Sequence, residues 1–271
     1  MQTETLALSA TPVADTWTTI GTFNVPAAVK RLTRVKFGVT MDPAAATIAR
    51  VLPAFRIMGS GLSEQSPHEF LGSSGGITGI AANEAALSLE TQSYDVDIPV
   101  MTGGQYLVQV NFLDEGAVPM TAKVEVAYDN SEVVRKNSMS QYVDSAQPTA
   151  ANAWQQVGSI TVPQLAAGNN PTRIREVVMA HAPDMAVTGI LTGSSRFRLS
   201  GSGIAEGGSH EYIGACLGAG VTAAFADSYA LGTVRQKTDI PVNPGGTILV
   251  EGLLDAKLPT AGTVAVALMY E

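Results

Sequence analysis

The chain has 271 residues, of which 45% are hydrophobic and only 15% charged, against about 25% charged in an ordinary soluble domain. That is enough apolar material for two cores without metals or disulfides, and the single cysteine, Cys216, can form no intrachain bridge. A net charge of −8 argues against a nucleic-acid face: the densest basic group, Lys30, Arg31, Arg34 and Lys36, would be split between two faces of a strand.

From the N-terminus, Met1-Gln2-Thr3-Glu4-Thr5 lacks the basic start and apolar core of a secretory signal, and no run is long enough to span a bilayer. Synthesis in a cytoplasm and no membrane insertion are expected. A period of two then dominates. A first strand is predicted near Leu6 to Ser9. In Trp17 to Val25 one face carries Trp17, Thr19, Gly21, Phe23 and Val25, which places Trp17 in the core. Leu32 to Met41 buries Val35, Phe37 and Val39 and turns Lys36 outward. Further strands are predicted at Ala54 to Met58, around Glu69 to Gly72, at Ser93 to Val100, at Tyr106 to Phe112 and at Val124 to Tyr128. Only Ile80 to Leu89 and Val221 to Leu231, both rich in alanine, could hold a short helix.

The second half repeats the first. Phe55 to Gly72 matches Phe197 to Gly214 at an offset of 142 (197 − 55), with nine of 18 positions identical. Asp97 to Gly104 matches Asp239 to Gly246 at the same offset, with six of eight identical, and Trp17 to Pro26 matches Trp154 to Pro163 at an offset of 137. The five extra residues fall most simply within Ala166 to Asn170. Two units of this size, seven or eight strands each with Gly/Pro-rich turns, predict an all-β chain of two tandem, internally duplicated antiparallel β-sandwiches, jelly-roll-like, over residues 1–130 and 131–271. Residues 130–139 read as a short linker. Val178 stands where the first copy has outward Lys36, which hints that the outer face of the second sandwich is covered.

The repeated stretch also holds the candidate site residues: Arg56, Glu64, His68 and Glu69, with Arg198, Glu206, His210 and Glu211 in the second copy. His and Glu could ligate a metal, but neighbours on a strand point to opposite faces, so no metal or other cofactor is expected. The better reading is structural. Each arginine would pair with Glu64 or Glu69, or with Glu206 or Glu211, while Gly59-Ser60-Gly61 turns the chain where φ is positive. Gly72-Ser73-Ser74-Gly75-Gly76 fits the G-x-S-x-G pattern of hydrolase elbows, with Cys216 where Ser74 stands, but the alternating helices of that fold are missing. No pair of carboxylates is singled out by spacing. No catalytic residue and no enzymatic activity are expected.

In copy length, strand count and short linker, the chain resembles the double jelly-roll capsid proteins of icosahedral viruses, in which two sandwiches form one subunit and three subunits a pseudo-hexagonal capsomer. The resemblance implies a structural protein of a virus particle, shell subunit or capsid-decorating protein, located in the virion. Its partners would be itself, as a homotrimer, and other virion proteins, with loops 72–89 of one chain against 214–231 of the next. The alternative is a tandem β-sandwich module that binds carbohydrate or a cell surface.

Overall fold

A computed structural model describes the whole chain except residues 1, 11, 12, 14, 42–47, 64–66, 79–86, 89, 114–119, 133–138, 147, 149, 151, 166–169, 184–188, 222–232 and 255–261. Every regular element among the described residues is a strand. The first copy contains β1 (Gln2–Ala10), β2 (Thr18–Asn24), β3 (Arg31–Met41), β4 (Ile48–Val51), β5 (Pro53–Met58) and β6 (His68–Leu71). It continues with β7 (Gly75–Thr78), β8 (Leu87–Ser88), β9 (Gln92–Pro99), β10 (Gln105–Phe112) and β11 (Met120–Asp129). The second copy contains β12 (Ser140–Ala146), β13 (Gln155–Thr161), β14 (Arg173–Pro183), β15 (Gly189–Ser200), β16 (His210–Val221), β17 (Val234–Pro241), β18 (Thr247–Leu254) and β19 (Gly262–Tyr270). Most of both predicted helices and of the 166–170 insertion lies outside the described residues. Where the first helix is described, at Leu87 and Ser88, the chain is a strand.

All named pairings are antiparallel. In the first copy β1-β11-β3 is completed by β9 and β8 on β3, and the facing sheet runs β2-β10-β5-β6. The second copy gives β12-β19-β14-β17 facing β13-β18-β15-β16. With the eight strands of that copy counted in order, the sheets read 1-8-3-6 and 2-7-4-5, the order of a jelly roll, and the first copy has the same order. The duplicated β-sandwiches read from the sequence are therefore present, as jelly rolls.

Each interior follows the period of two. In the first copy Leu32, Val35, Phe37, Phe55, Ile57, Phe70, Tyr94 and Val108 are buried, with Phe37 stacked on Phe55 at 4.2 Å between ring centroids. In the second, Ile174, Val177, Met179, Phe197, Leu199, Val250, Val266 and Leu268 play the same part. His181, in the place of Val39, lies in this interior, and burial pushes its pKa down to about 4. The turn at Gly59 has φ +139°, and a Cβ there would stand 2.8 Å from the Gln105 carbonyl oxygen; Gly201, its counterpart, has φ +108°. Only glycine fits both demands.

One expectation fails for a definable reason. Register shifts between Val108 and Gln109, opposite the stretch that pairs Thr19 and Gly21, so the alternation along β2 slips by one residue. Ile20, Phe23 and Val25 are buried, while Trp17 and Thr19 move to the outer face. The same bulge recurs between Gln156 and Gly158 and moves Trp154 outward. A bulge reverses which side chains face the core from that point on.

Candidate functional site

The outer face of the β2-β10-β5-β6 sheet carries the repeated residues. Arg56 Nε donates to Gln109 Oε1 at 3.0 Å, and its guanidinium lies 4.2 Å from the Trp17 ring centroid. In the second copy Arg198 makes two bonds to Glu251, at 2.8 and 2.9 Å, and lies 4.5 Å over the Trp154 ring. Each arginine is thus held between an indole and a residue of the neighbouring strand, β10 or β18. The directly opposite partners Glu69 and Glu211 contribute at longer range. Glu206 is exposed and forms no ion pair with Arg198 among the described residues, and Glu64 lies outside them. The sequence missed Gln109 and Glu251 because sheet order, not proximity along the chain, brings them in.

His68 is fully buried in the core whereas Glu69 points out, so strand alternation separates the two, and His210 is half-buried. Among the described residues no group of three or more His, Cys, Asp and Glu is placed to hold a metal. The G-x-S-x-G stretch is no elbow. Ser74 is buried and followed directly by β7, and its backbone N–H donates to Thr233 Oγ1 of the other copy at 3.1 Å, while that hydroxyl donates to the Gly72 carbonyl at 2.8 Å.

That bond belongs to a junction between the two jelly rolls. The outward face of the second copy's first sheet carries Val178, Ala180, Ala182, Ala265, Ala267 and Met269, all buried and continuous with the first copy's core. Against it lies β6, next to β12 and β19, with Leu71 fully buried. The cover expected from Val178 is therefore supplied by the chain itself. Fully burying a side chain such as Leu71 or Val178 stabilises the contact by about 2 kcal/mol.

Polar groups frame this apolar centre. Trp17 meets Tyr142 edge-on at 6.3 Å, and the Asn111 amide donates to the Tyr142 hydroxyl. On the other side Arg235 forms a two-bond ion pair with Glu176 (2.7 and 3.0 Å), donates to the Ser93 carbonyl and lies 4.3 Å from the Tyr94 ring centroid. The Glu69 carboxylate accepts the Tyr142 backbone N–H, yet burial raises its pKa, and nearby Asp144 raises it further against the opposing pull of Arg56. Asp144 is itself raised by burial and by Asp15. A carboxyl that keeps its proton above the usual range can serve as a general acid.

No family model matches the chain, and no curated protein does. Among solved structures it is similar to the major capsid protein P2 of bacteriophage PM2, with 9% identity, 99% of this chain and 97% of that one covered, and a TM-score of 0.35. It is also similar to PNGase F, a glycosylasparaginase of Flavobacterium meningosepticum, with 9% identity, 98% and 96% covered, and a TM-score of 0.35. A third is the tandem CBM22 domain of Paenibacillus barcinonensis Xyn10C, with 8% identity, 92% and 82% covered, and a TM-score of 0.24. The expectation of a chain without enzymatic activity is corrected here, since the similar structures include an enzyme. Its physical basis was also unsound. Sheet topology gathers carboxylates such as Glu69 and Asp144 that no spacing in the sequence singles out. The chain is an all-β protein of two jelly rolls that resembles viral capsid proteins in architecture.

Proposed function

We propose that the chain is a structural protein of a virus particle, shell subunit or decoration, that acts by self-assembly as a homotrimer alongside other virion proteins. One observation carries this reading: a contact surface present twice in the chain is used once. Leu71, covered by the second sandwich, has as its counterpart Ile213, which is 65% exposed. The fully covered Val178-Ala180-Ala182 face has as its counterpart Lys36-Gly38-Thr40, each only half-buried. A contact between unlike surfaces with one of each left over repeats from chain to chain, and it closes into a ring when the rotation allows. Jelly rolls serve as such building blocks in capsids, and also in lectins.

Light scattering on the purified chain tests the reading. A stable species of three chain masses is expected. A monomer at all concentrations would contradict it and favour a tandem binding module for carbohydrate or a cell surface, in which half-buried Trp154 beneath Arg198 is the aromatic surface to examine.

A further inference from the structure

The intramolecular junction is a template from which the intermolecular one can be written residue by residue. On the receiving side, register equates β1 with β12 and β11 with β19: Ala7 pairs Lys123 as Asp144 pairs Ala265, and Thr5 takes the place of Tyr142. The outward face of β1-β11-β3 holds an open groove of about 610 Å³ lined by Thr5, Ala7, Lys36, Gly38, Thr40 and Lys123. Thr5, Ala7 and Lys123 are the counterparts of residues on β12 and β19, the strands against which β6 lies in the second copy, and Lys36, Gly38 and Thr40 of the buried outward face of β14; Glu125, the counterpart of Ala267, also lines the groove. The small side chains of Thr5, Ala7 and Gly38 leave the space; the two lysines flank it.

On the entering side, Ile213 stands for Leu71, Glu211 for Glu69 and Arg196 for Ala54, and all three are exposed. The polar exchanges run in opposite directions on the two surfaces. Inside the chain burial raises the Glu69 carboxyl pKa, and the like charge of nearby Asp144 adds to it. In the repeated contact Ala7 replaces Asp144 and Lys123 replaces Ala265, so the same carboxylate position meets an ammonium. Neither Lys36, Lys123, Arg196 nor Glu211 forms an ion pair among the described residues. A contact that forms only between folded chains has to stay wet beforehand, which accounts for charge where the permanent junction has alanine.

We propose that the groove on β1-β11-β3 is the docking site for a second copy of this chain, which seats Ile213 over Thr5, Ala7 and Gly38 and sets Glu211 against Lys123. The proposal rests on the self-assembly reading and assigns its surfaces. Its test is sedimentation of wild type, Ile213→Asp, Glu211→Lys, Lys123→Glu and the double exchange Glu211→Lys/Lys123→Glu over a range of concentration and salt. The expected result is association weakened at least tenfold in each single variant and restored in the double exchange, with thermal midpoints of the dissociated chain, measured at high dilution, unchanged because the altered residues are exposed. Wild-type association that survives Ile213→Asp and both charge reversals would overturn the docking site while leaving self-assembly standing. A wild type that never associates would overturn both. Should Ile213→Asp fold poorly, Lys123→Glu and its rescue decide alone.

Discussion

The outer faces of β3 and β14 are the same surface of the same fold, and they differ almost completely: Lys36, Gly38 and Thr40 against Val178, Ala180 and Ala182. The interiors beneath them differ far less, with Val35 and Phe37 against Val177 and Met179. A duplicated sheet keeps its inward residues because the fold demands them, whereas its outward residues follow whatever lies on top. Polarity that differs between copies therefore maps contacts. Here it marks one face as a permanent junction and the other as open.

The largest effect is expected from making the copies alike. Val178→Lys places an ammonium inside the buried junction, and a buried, unpaired charge should lower unfolding free energy by about 3 kcal/mol or more in chemical denaturation. The reciprocal Lys36→Val, on the open face, should leave it nearly unchanged. Equal midpoints for both variants would mean that the two faces are not differently covered.

The second contrast is inside the cores, where His181 replaces Val39. Its folded pKa of about 4 lies below the ordinary 6.5, so between those values the unfolded chain binds the extra proton and stability falls as the pH drops. The loss approaches about 3 kcal/mol at and below pH 4 and vanishes above the ordinary value. His181→Val should remove this part of the acid sensitivity, read as the difference between stability–pH curves. Parallel curves would show that the imidazole titrates normally.

A smaller effect separates Tyr128 from its counterpart Tyr270. The Tyr128 hydroxyl bonds that of Tyr106, both buried, whereas Ile248 stands at the position of Tyr106 in the second copy and leaves the buried Tyr270 hydroxyl without a partner among the described residues. Tyr128→Phe should cost about 1 kcal/mol by orphaning Tyr106, and Tyr270→Phe should be neutral or stabilising. Equal losses would break the comparison.

The fold was legible because alternation and duplication are local signals: Val35, Phe37 and Val39 announce a strand, and Phe55 to Gly72 announces its own repeat. Trp17 was misplaced because one bulge, invisible in composition, shifts the alternation. The arginine partners Gln109 and Glu251 were illegible because they lie 53 residues from Arg56 and Arg198 and meet them only across a sheet. Val178 was half legible: its apolarity told of a cover but not that the cover was the other half of the same chain.

The central claim is that one contact is made within the chain and its counterpart between chains. Hydrogen exchange measured against protein concentration tests it most directly, on four segments at once. The account predicts that residues 69–72 and 178–182 are protected at every concentration, while 211–213 and 36–40 gain protection together as the chain associates. Protection of 211–213 and 36–40 that stays the same from dilute to concentrated, associated protein would contradict it.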